Sequence, residues 1–206
     1  FLLKSTLFLF QHNNFATKMR RNMYKRIITI LLAGSLLFSA EAQNRSFAVN
    51  VADYINFLTI NGEMSFTFTR HWSCHFRCRY NPFIFKEGSK EQLQNKKLEL
   101  SAGVRFWSWN VNSGWFALLY PDYLKYNKGG IFNIKTFEGE SYGALFGGGY
   151  AFMLSKRINL EIGVEARAGY RSYVAYERPK GGRFKGKWKN FFVEPGNVLV
   201  QFAFIF

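Results

Sequence analysis

Hydrophobic and polar residues alternate along most of this chain with the period of two that is typical of β-strands. In the segment 72–81, aromatic residues and cysteines alternate with Ser73, His75, Arg77 and Arg79. Two later segments repeat this alternation over more than ten residues each. One face of each predicted strand is therefore apolar, and the opposite face carries full charges.

Turn residues divide the chain into eight such segments, and short connections alternate with longer, charged ones. This asymmetry is typical of small outer-membrane barrels, which have short turns at one end and long loops at the other. The predicted strands cover residues 46–56, 62–70, 72–81, 96–107, 114–126, 141–154, 158–176 and 190–206.

The predicted fold class is all-β, an eight-stranded antiparallel transmembrane β-barrel of the outer membrane with up-and-down topology. Strands of about ten residues are long enough to cross a bilayer at a tilt, and the Tyr and Trp residues near their ends suit the membrane interfaces. A soluble barrel or sandwich would show the same alternation with its apolar face inward, and it is the alternative fold. Residues 43–206 contain no helix-period segment, so a barrel is the only spanning structure open to them.

The segment 23–42 predicts a secretory signal peptide. A basic pair, Lys25 and Arg26, precedes the apolar run 27–38, and Ala40-Glu41-Ala42 matches the small-residue pattern of a cleavage site. The run is shorter than the roughly 20 residues that a transmembrane helix needs. A membrane anchor kept in the mature protein is the alternative.

Residues 1–22 are expected to be an upstream, non-native extension, because they precede the start that Met23 offers. Met19 is the other candidate start. The outer-membrane β-barrel domain is then expected to cover 43–206.

The chain has a formal net charge of +15, and the mature domain stays strongly basic. Nucleic acid is not an expected partner of a secreted chain of this composition. Outer-membrane lipid and lipopolysaccharide, whose phosphates are anionic, are the expected partners of a monomer in the cell outer membrane.

The last ten residues, NVLVQFAFIF, resemble the C-terminal recognition strand of Gram-negative outer-membrane barrels, which typically ends in an aromatic residue. Phe202, Phe204 and Phe206 are the expected C-terminal assembly signal. The barrel-assembly machinery is the expected partner during biogenesis.

The interior of an eight-stranded barrel is only wide enough for side chains. The inward-facing positions predict a polar network with charges of both signs, so ion pairs are expected to fill the lumen and conduction of solutes is not expected. The predicted network consists of Glu63, His75, Arg77, Arg79, Glu99, Arg105, Glu161, Glu165, Arg167 and Arg171.

The densest run of charge is 178–189, which falls in the last predicted extracellular loop. Such a loop would face lipopolysaccharide phosphates, and a solvated, flexible loop is the alternative. The candidate contacts to anionic glycolipid are Lys180, Arg183, Lys185, Lys187 and Lys189.

No catalytic residue, cofactor or metal site is predicted. Cys74 and Cys78 are about 13 Å apart on one face of a strand, too far for a disulfide, and His75 points to the other face. His71 falls in a predicted turn and His75 in the lumen, so neither is expected to meet a Ser and a carboxylate at the outer rim where lipid A lies. The glycines 147–149 lack the Gly-Lys-Ser/Thr of a phosphate loop.

Several short motifs resemble a family of uncharacterised Gram-negative outer-membrane proteins catalogued as domain of unknown function 3575. The resemblance covers about 46–206, and the first strand departs from it at 50–54. The motifs are Tyr80-Asn81-Pro82, Val104-Arg105-Phe106-Trp107, Lys125-Tyr126-Asn127, Gly129-Gly130, Gly147-Gly148-Gly149-Tyr150, Asn159-Leu160-Glu161, the series Tyr170, Tyr173 and Tyr176, and Lys189-Asn190-Phe191-Phe192 with Pro195.

This resemblance implies an outer-membrane barrel and brings no established activity or catalytic residue, although some members are thought to accompany surface fimbriae. The expected function is therefore a non-enzymatic barrel with a structural or adhesive role through basic extracellular loops. An accessory component of fimbria assembly is the alternative, and a lipid A-modifying enzyme is a more distant one.

Overall fold

The period-two segments fold as antiparallel strands in a computed structural model. The structure describes residues 45–85, 92–129, 135–177 and 183–206. The predicted upstream extension 1–22 and signal peptide 23–42 lie outside the described residues, and so does Lys180.

The described residues form nine strands and one short helix. All strand pairings are antiparallel, which confirms the predicted all-β antiparallel class. The elements are β1 Arg45–Asn50, α1 Ala52–Ile55, β2 Ile60–Thr69, β3 Trp72–Asn81, β4 Ile84–Phe85, β5 Leu93–Trp107, β6 Gly114–Gly129, β7 Thr136–Ser155, β8 Ile158–Tyr176 and β9 Phe184–Ile205.

Eight of these strands follow one another around a closed ring of pairings. The order is β3-β2-β1-β9-β8-β7-β6-β5, and β3 pairs with β5 to complete it. The first and last of the described strands are neighbours in this ring, and Phe47 of β1 lies opposite Phe204 of β9. The two-residue β4 lies outside the ring and pairs only with the start of β5.

The prediction that the first strand continues to residue 56 is wrong, because the chain leaves the sheet at Asn50 and forms α1. The side chain of Asn50 adds hydrogen bonds to β9 there, beside the backbone bond from the Val51 amide to the Val200 carbonyl at 2.8 Å. Its Nδ2 donates to the Val198 carbonyl at 3.0 Å, and its Oδ1 accepts from the Val200 amide at 2.9 Å. An Asn side chain that bonds to backbone groups in this way competes with a regular strand.

Two stretches predicted as long loops, one after residue 126 and one after residue 176, belong in part to strands. β6 continues to Gly129, β7 begins at Thr136, and β9 begins at Phe184 rather than near residue 190. Backbone pairing continues through these polar stretches, so that β6, β7, β8 and β9 contain 16, 20, 19 and 22 residues. β1, β2 and β3 contain only 6, 10 and 10.

Charged side chains face the inside of the ring, and large apolar side chains face outward. In β3, Arg77 and Arg79 are 4% and 0% exposed, whereas Phe76 on the opposite face is 55% exposed. In β8, Glu161 is buried and Val164 is 65% exposed. This distribution differs from that in a typical water-soluble domain, whose charged residues are almost never fully buried unless they are paired.

An apolar cluster fills part of the ring beside the charged residues, and the sequence analysis did not predict it. Its members come from β5, β6, β7 and β9. They are Trp107, Phe116, Leu118, Tyr120, Leu145, Ala151 and Leu199. Since β6 is apolar on both faces, alternation alone could not indicate which face is buried.

Paired glycines allow β7 and β8 to approach closely on the inner side. Gly149 lies directly opposite Gly163, and Gly143 lies opposite Gly169. A Cβ atom added to Gly149 would lie 2.2 Å from the carbonyl oxygen of Ile162. Glycine is therefore required at this bend of the sheet.

Candidate functional site

The ten predicted interior residues all lie at inward positions of β2, β3, β5 and β8. Nine of them are buried, and only Arg171, with its side chain 24% exposed, is half-buried. Carboxylate and guanidinium contacts link these residues in two groups, which together we call the interior network.

Glu63 is the centre of this network. One carboxylate oxygen, Oε1, lies 2.6 Å from His75 Nδ1 and 2.9 Å from Arg105 Nη2, and the other, Oε2, accepts from Arg77 Nε at 2.6 Å. The Tyr120 hydroxyl and the Gln201 amide donate to the same carboxylate at 3.2 and 3.1 Å. A buried carboxylate with this many donors remains ionised without bulk water.

The two arginines bound to Glu63 extend the network across the ring to β8. Arg77 Nη1 donates to Glu165 at 2.7 Å, and Arg105 Nη1 donates to Glu161 at 2.6 Å. Each guanidinium therefore joins two carboxylates from different strands. Deleting one carboxylate would leave buried positive charge without its partner.

Arg79 connects the network to the helix. Its Nη1 lies 2.9 Å from Glu99 of β5, and its Nε lies 2.8 Å from Asp53 of α1. Asp53 is 2% exposed, although it belongs to a connection between strands. The connection also receives the side chain of Asn81, which donates to the Phe57 carbonyl at 2.8 Å.

A second group of charges lies toward the end of the ring where β6 to β9 are longest. Arg167 binds the carboxylate of Asp122 and donates to Ser141 Oγ at 3.0 Å. Arg171 Nη2 lies 2.8 Å from Glu194, whose other oxygen is 3.9 Å from Arg167.

Sequence reasoning missed five partners of this network: Asp53, Tyr120, Asp122, Glu194 and Gln201. Tyr120 and Asp122 lie on the same face of β6. Both faces of this strand carry apolar residues, so the alternation did not indicate that this face points inward. Gln201 alternates with the outward Phe202 and could have been found by parity. Asp53 could not, because it lies on a helix within a predicted strand.

His75 has a serine and a carboxylate as neighbours in the interior of the ring, whereas the sequence analysis considered such a set only at the outer rim. Its Nε2 lies 2.8 Å from Ser73 Oγ, and its Nδ1 contacts Glu63. This is the order of hydrogen bonds found in a serine triad. Ser73 is nevertheless 0% exposed, and its Oγ also accepts from Trp107 Nε1 at 2.8 Å. A nucleophile needs open space for a substrate, and this serine is enclosed.

His71 lies in the turn between β2 and β3, as predicted. Its Nδ1 is 2.9 Å from the Trp107 carbonyl, and its ring stacks on Phe106. Cys74 and Cys78 are free thiols. Within the part of the chain that the structure describes, no group of three or more His, Cys, Asp or Glu residues could hold a metal ion.

The basic residues Arg183, Lys185, Lys187 and Lys189 are all exposed, and only Arg183 lies in the connection before β9. The three lysines lie in β9, where Lys187 pairs with Val174 and Lys189 with Ser172 of β8. Lys185 Nζ lies 2.5 Å from Glu177. Lys187 and Lys189 share the outward face with Phe191 by strand alternation.

Phe202, Phe204 and Phe206 are exposed on the outward side near the short turns, at 38%, 48% and 41%. The Phe206 amide donates to the Arg45 carbonyl at 3.0 Å. The described ends of β1 and β9 are thus joined by backbone hydrogen bonds.

Aromatic residues form a continuous row across the outward faces of four strands. Tyr123 lies opposite Tyr142, Tyr142 opposite Tyr170, and Tyr170 opposite Phe191. Neighbouring rings are 5.0 Å apart for the first pair and 5.4 Å for the last. We call these residues the aromatic row.

A charged row lies two residues further along each strand. It consists of Lys125, Glu140, Ser172 and Lys189, which are likewise direct neighbours across the sheet. On the other side of the aromatic row, the outward positions of β8 are apolar down to Leu160. The outward surface therefore changes from apolar to charged within one pair of residues.

The outward apolar surface also contains a wide groove of about 880 Å³. Small residues such as Gly62, Cys78 and Ala102 form its floor, while Phe76 and Tyr142 form its walls. The groove opens on the outward side, and its lining also includes Arg77 and Asp122, which belong to interior ion pairs.

A search against family models finds one described as "Protein of unknown function (DUF3575)", which matches residues 26–206. No match is found among curated proteins or among solved structures.

Among the described residues, no helix is long and apolar enough to cross a membrane.

Proposed function

We infer the function of this chain from its structure, since the chain belongs to the DUF3575 family and the description of that family states no activity. The chain acts as a monomeric, eight-stranded transmembrane β-barrel in the outer membrane of a Gram-negative cell. Its role is non-enzymatic, structural or adhesive, and it contacts anionic glycolipid through its basic outward surface.

The observation that carries this proposal is the reversed distribution of charge and apolar surface. Residues such as Phe76, Leu119, Val164 and Val198 are 53–65% exposed, while Arg79 is completely buried. Exposed apolar area costs about 25 cal/mol per Å² in water. Acyl chains remove that cost, whereas a contiguous apolar surface of this extent is rare on a soluble monomer.

The aromatic row and the charged row support a bilayer boundary at one end. Tyrosine rings favour the headgroup level, because one edge is apolar and the hydroxyl is polar. The apolar outward run of β8 from Leu160 to Tyr170 has the length of a tilted strand that crosses the bilayer, about 9–11 residues.

The interior argues for a structural role rather than transport or catalysis. The interior network and the apolar cluster fill the ring with side chains, as expected for a barrel of eight strands. The enclosed Ser73 offers no approach for an acyl ester, so the hydrogen bonds to His75 are best explained as structural.

The adhesive part of the proposal relies on the lysines of β9. Lys187 and Lys189 precede Phe191 in β9 and share its face, so they lie immediately beyond the aromatic row. Positive side chains at this level would meet the phosphates of lipopolysaccharide, and each is worth about 1 kcal/mol near an anionic surface.

Membrane insertion can be tested with two matched arginine variants of β8. Val164→Arg puts a charge in the middle of the apolar run, and it should cost about 2–4 kcal/mol of folding free energy in lipid vesicles. Val174→Arg lies on the same face beyond the aromatic row and should cost about 0–1 kcal/mol. Heat-modifiable mobility on a gel would measure the folded fraction of each variant.

Equal stability of the two variants, or recovery of the exported protein in the aqueous fraction, would contradict the proposal. In a water-soluble protein, substitutions at exposed positions are usually within about 0.5 kcal/mol.

The glycolipid contact has its own test. Charge reversal of Lys185, Lys187 and Lys189 to Glu should weaken retention of the folded protein on immobilised lipopolysaccharide. Reversal of Lys156 and Arg157, exposed in the turn at the opposite end, is the matched control. Unchanged retention of the β9 variant would exclude the adhesive role and would leave the proposal of a membrane barrel unaffected.

A further inference from the structure

A pocket of about 250 Å³ lies on the inner side of β6, β7, β8 and β9, where these strands are longest. Its walls include Tyr126, Lys128, Phe137, Arg171, Tyr173 and Glu194. We call it the upper pocket. Nothing in the interior network or in the proposed adhesive surface requires it.

Positive charge around the upper pocket exceeds the negative charge that pairs with it. Arg167 is paired with Asp122, and Arg171 is paired with Glu194. Lys128, at the mouth, has no carboxylate within ion-pair distance among the described residues, and its amine lies 5.4 Å from the centre of the Tyr126 ring.

Lys97 adds to this excess from directly behind the pocket. It lies opposite Tyr126 in the β5–β6 pairing and is only 7% exposed. It too has no ion-pair partner in the described part of the chain. The carboxylates that act on its charge, Glu99 and Asp53, are also paired with Arg79, so they leave positive charge in excess at this end of the ring. An anion nearby would be stabilised by that excess.

One guanidinium nitrogen in the upper pocket also has no acceptor. Arg171 Nη2 binds Glu194, and the guanidinium carbon lies 3.9 Å from the centre of the Phe192 ring. Arg171 Nε is buried and has no hydrogen-bond partner. A native buried donor without a partner is uncommon and points to a missing acceptor.

Aromatic side chains complete the pocket on the β7–β8 side. Tyr173 stacks on Trp188, with ring centres 5.7 Å apart, and Phe137 packs against Tyr173 at 5.9 Å. Such fixed rings offer apolar faces to the C–H groups of a sugar, while the tyrosine hydroxyls offer polar contacts.

We propose that the upper pocket binds one anionic sugar unit, which carries a phosphate or a carboxylate. Arg171 Nε and the Lys128 ammonium hold the anionic group, and the Phe137 and Tyr173 rings hold the sugar ring. The pocket is smaller than the roughly 300–1,000 Å³ of drug-sized sites, and it suits a single ring. This inference does not depend on membrane insertion, because the pocket is formed by side chains inside the ring.

The test is calorimetric titration of the full, detergent-solubilised protein with glucose 6-phosphate, glucuronate, glucose and inorganic phosphate. Glucose 6-phosphate or glucuronate should bind, and glucose and phosphate should each bind at least tenfold more weakly. The two anionic sugars distinguish phosphate from carboxylate recognition. Binding should also change the fluorescence of Trp188, which is lost in Trp188→Phe.

Variants locate the site. Lys128→Gln and Arg171→Gln should each weaken binding about tenfold or more, because each removes a charge-assisted contact. Lys125→Gln removes an exposed charge from the other face of β6 and should leave binding unchanged. Lys128 is exposed, so its variant keeps the fold even if Arg171→Gln does not.

The proposal is overturned if neither anionic sugar binds, if inorganic phosphate binds as tightly as the sugars, or if Lys125→Gln weakens binding as much as Lys128→Gln. The first result would exclude the binding site. The second would show that the sugar ring is not recognised, and the third would show that only the overall charge of the protein matters.

Discussion

Arg79 Nε lies 2.8 Å from the Asp53 carboxylate, an ion pair without hydrogen-bond geometry between an arginine of β3 and a residue that no strand carries. Asp53 belongs to α1, the four-residue helix between β1 and β2. Arg79 therefore holds this connection against the interior of the ring. The same guanidinium also reaches Glu99 of β5 at 2.9 Å.

Asp53→Asn should weaken this attachment without abolishing folding. The variant keeps the shape of the side chain but removes one of the three carboxylates that lie within 4.0 Å of Arg79, the others being Glu99 and Glu165. We expect a loss of about 1–3 kcal/mol in the free energy of unfolding, as for a buried polar group that loses a partner. Urea unfolding in micelles measures this loss, and faster amide exchange in residues 51–59 would locate it. Unchanged stability and exchange would mean that the contact does not hold the connection.

Glu63→Gln should be more costly, because Glu63 is shared by more partners. Its loss leaves Arg77 and Arg105 each with a single remaining carboxylate, Glu165 and Glu161. Breaking a buried ion pair in this way costs about 3–5 kcal/mol. The free energy of unfolding in micelles is the measurement. Glu138→Gln, on the outward face of β7, is the control and should change it by no more than about 0.5 kcal/mol. Equal effects of the two variants would argue against a central role for Glu63.

Ser73→Ala separates a structural hydrogen bond from a catalytic one. The substitution leaves Trp107 Nε1 without its acceptor and His75 Nε2 without its neighbour, so stability should fall by about 1–3 kcal/mol. The lipid A acylation profile of cells that express the variant should stay identical by mass spectrometry. Ser101→Ala is the matched control, since the Ser101 hydroxyl is buried and has no hydrogen-bond partner. A changed lipid A profile in Ser73→Ala alone would establish an enzymatic role.

Gly149→Ala should strain the close approach of β7 and β8. The new Cβ would lie 2.2 Å from the Ile162 carbonyl oxygen and 2.7 Å from the Gly163 Cα atom, and both belong to backbone that cannot rotate away. We expect a loss of about 1–3 kcal/mol or failure to fold. At Gly62, the control, a Cβ would meet only the Phe47 ring at 3.2 Å. Gel mobility before and after heating measures the folded fraction, and a tolerated Gly149→Ala would disprove the constraint.

The sequence determined where most strands lie, although not their ends, and which face of most strands carries charge. Side-chain direction along a strand depends only on the period of two, so it can be read locally. This is why alternation alone could assign Arg79 of β3, Glu99 of β5 and Glu161 of β8 to the same side of the sheet. The period-two pattern was insufficient for β6, because the neighbouring residues Leu119 and Tyr120 are both apolar and point to opposite faces.

Only the tertiary structure decided which charges meet. The contacts of Glu63 with Arg105 and of Arg77 with Glu165 depend on strand register and on the curvature that the paired glycines permit. Both are set by hydrogen bonds between distant segments. The same holds for the helix at Asp53, since the Asn50 side chain ends β1 only because β9 lies beside it. Local alternation carries no information about such partners.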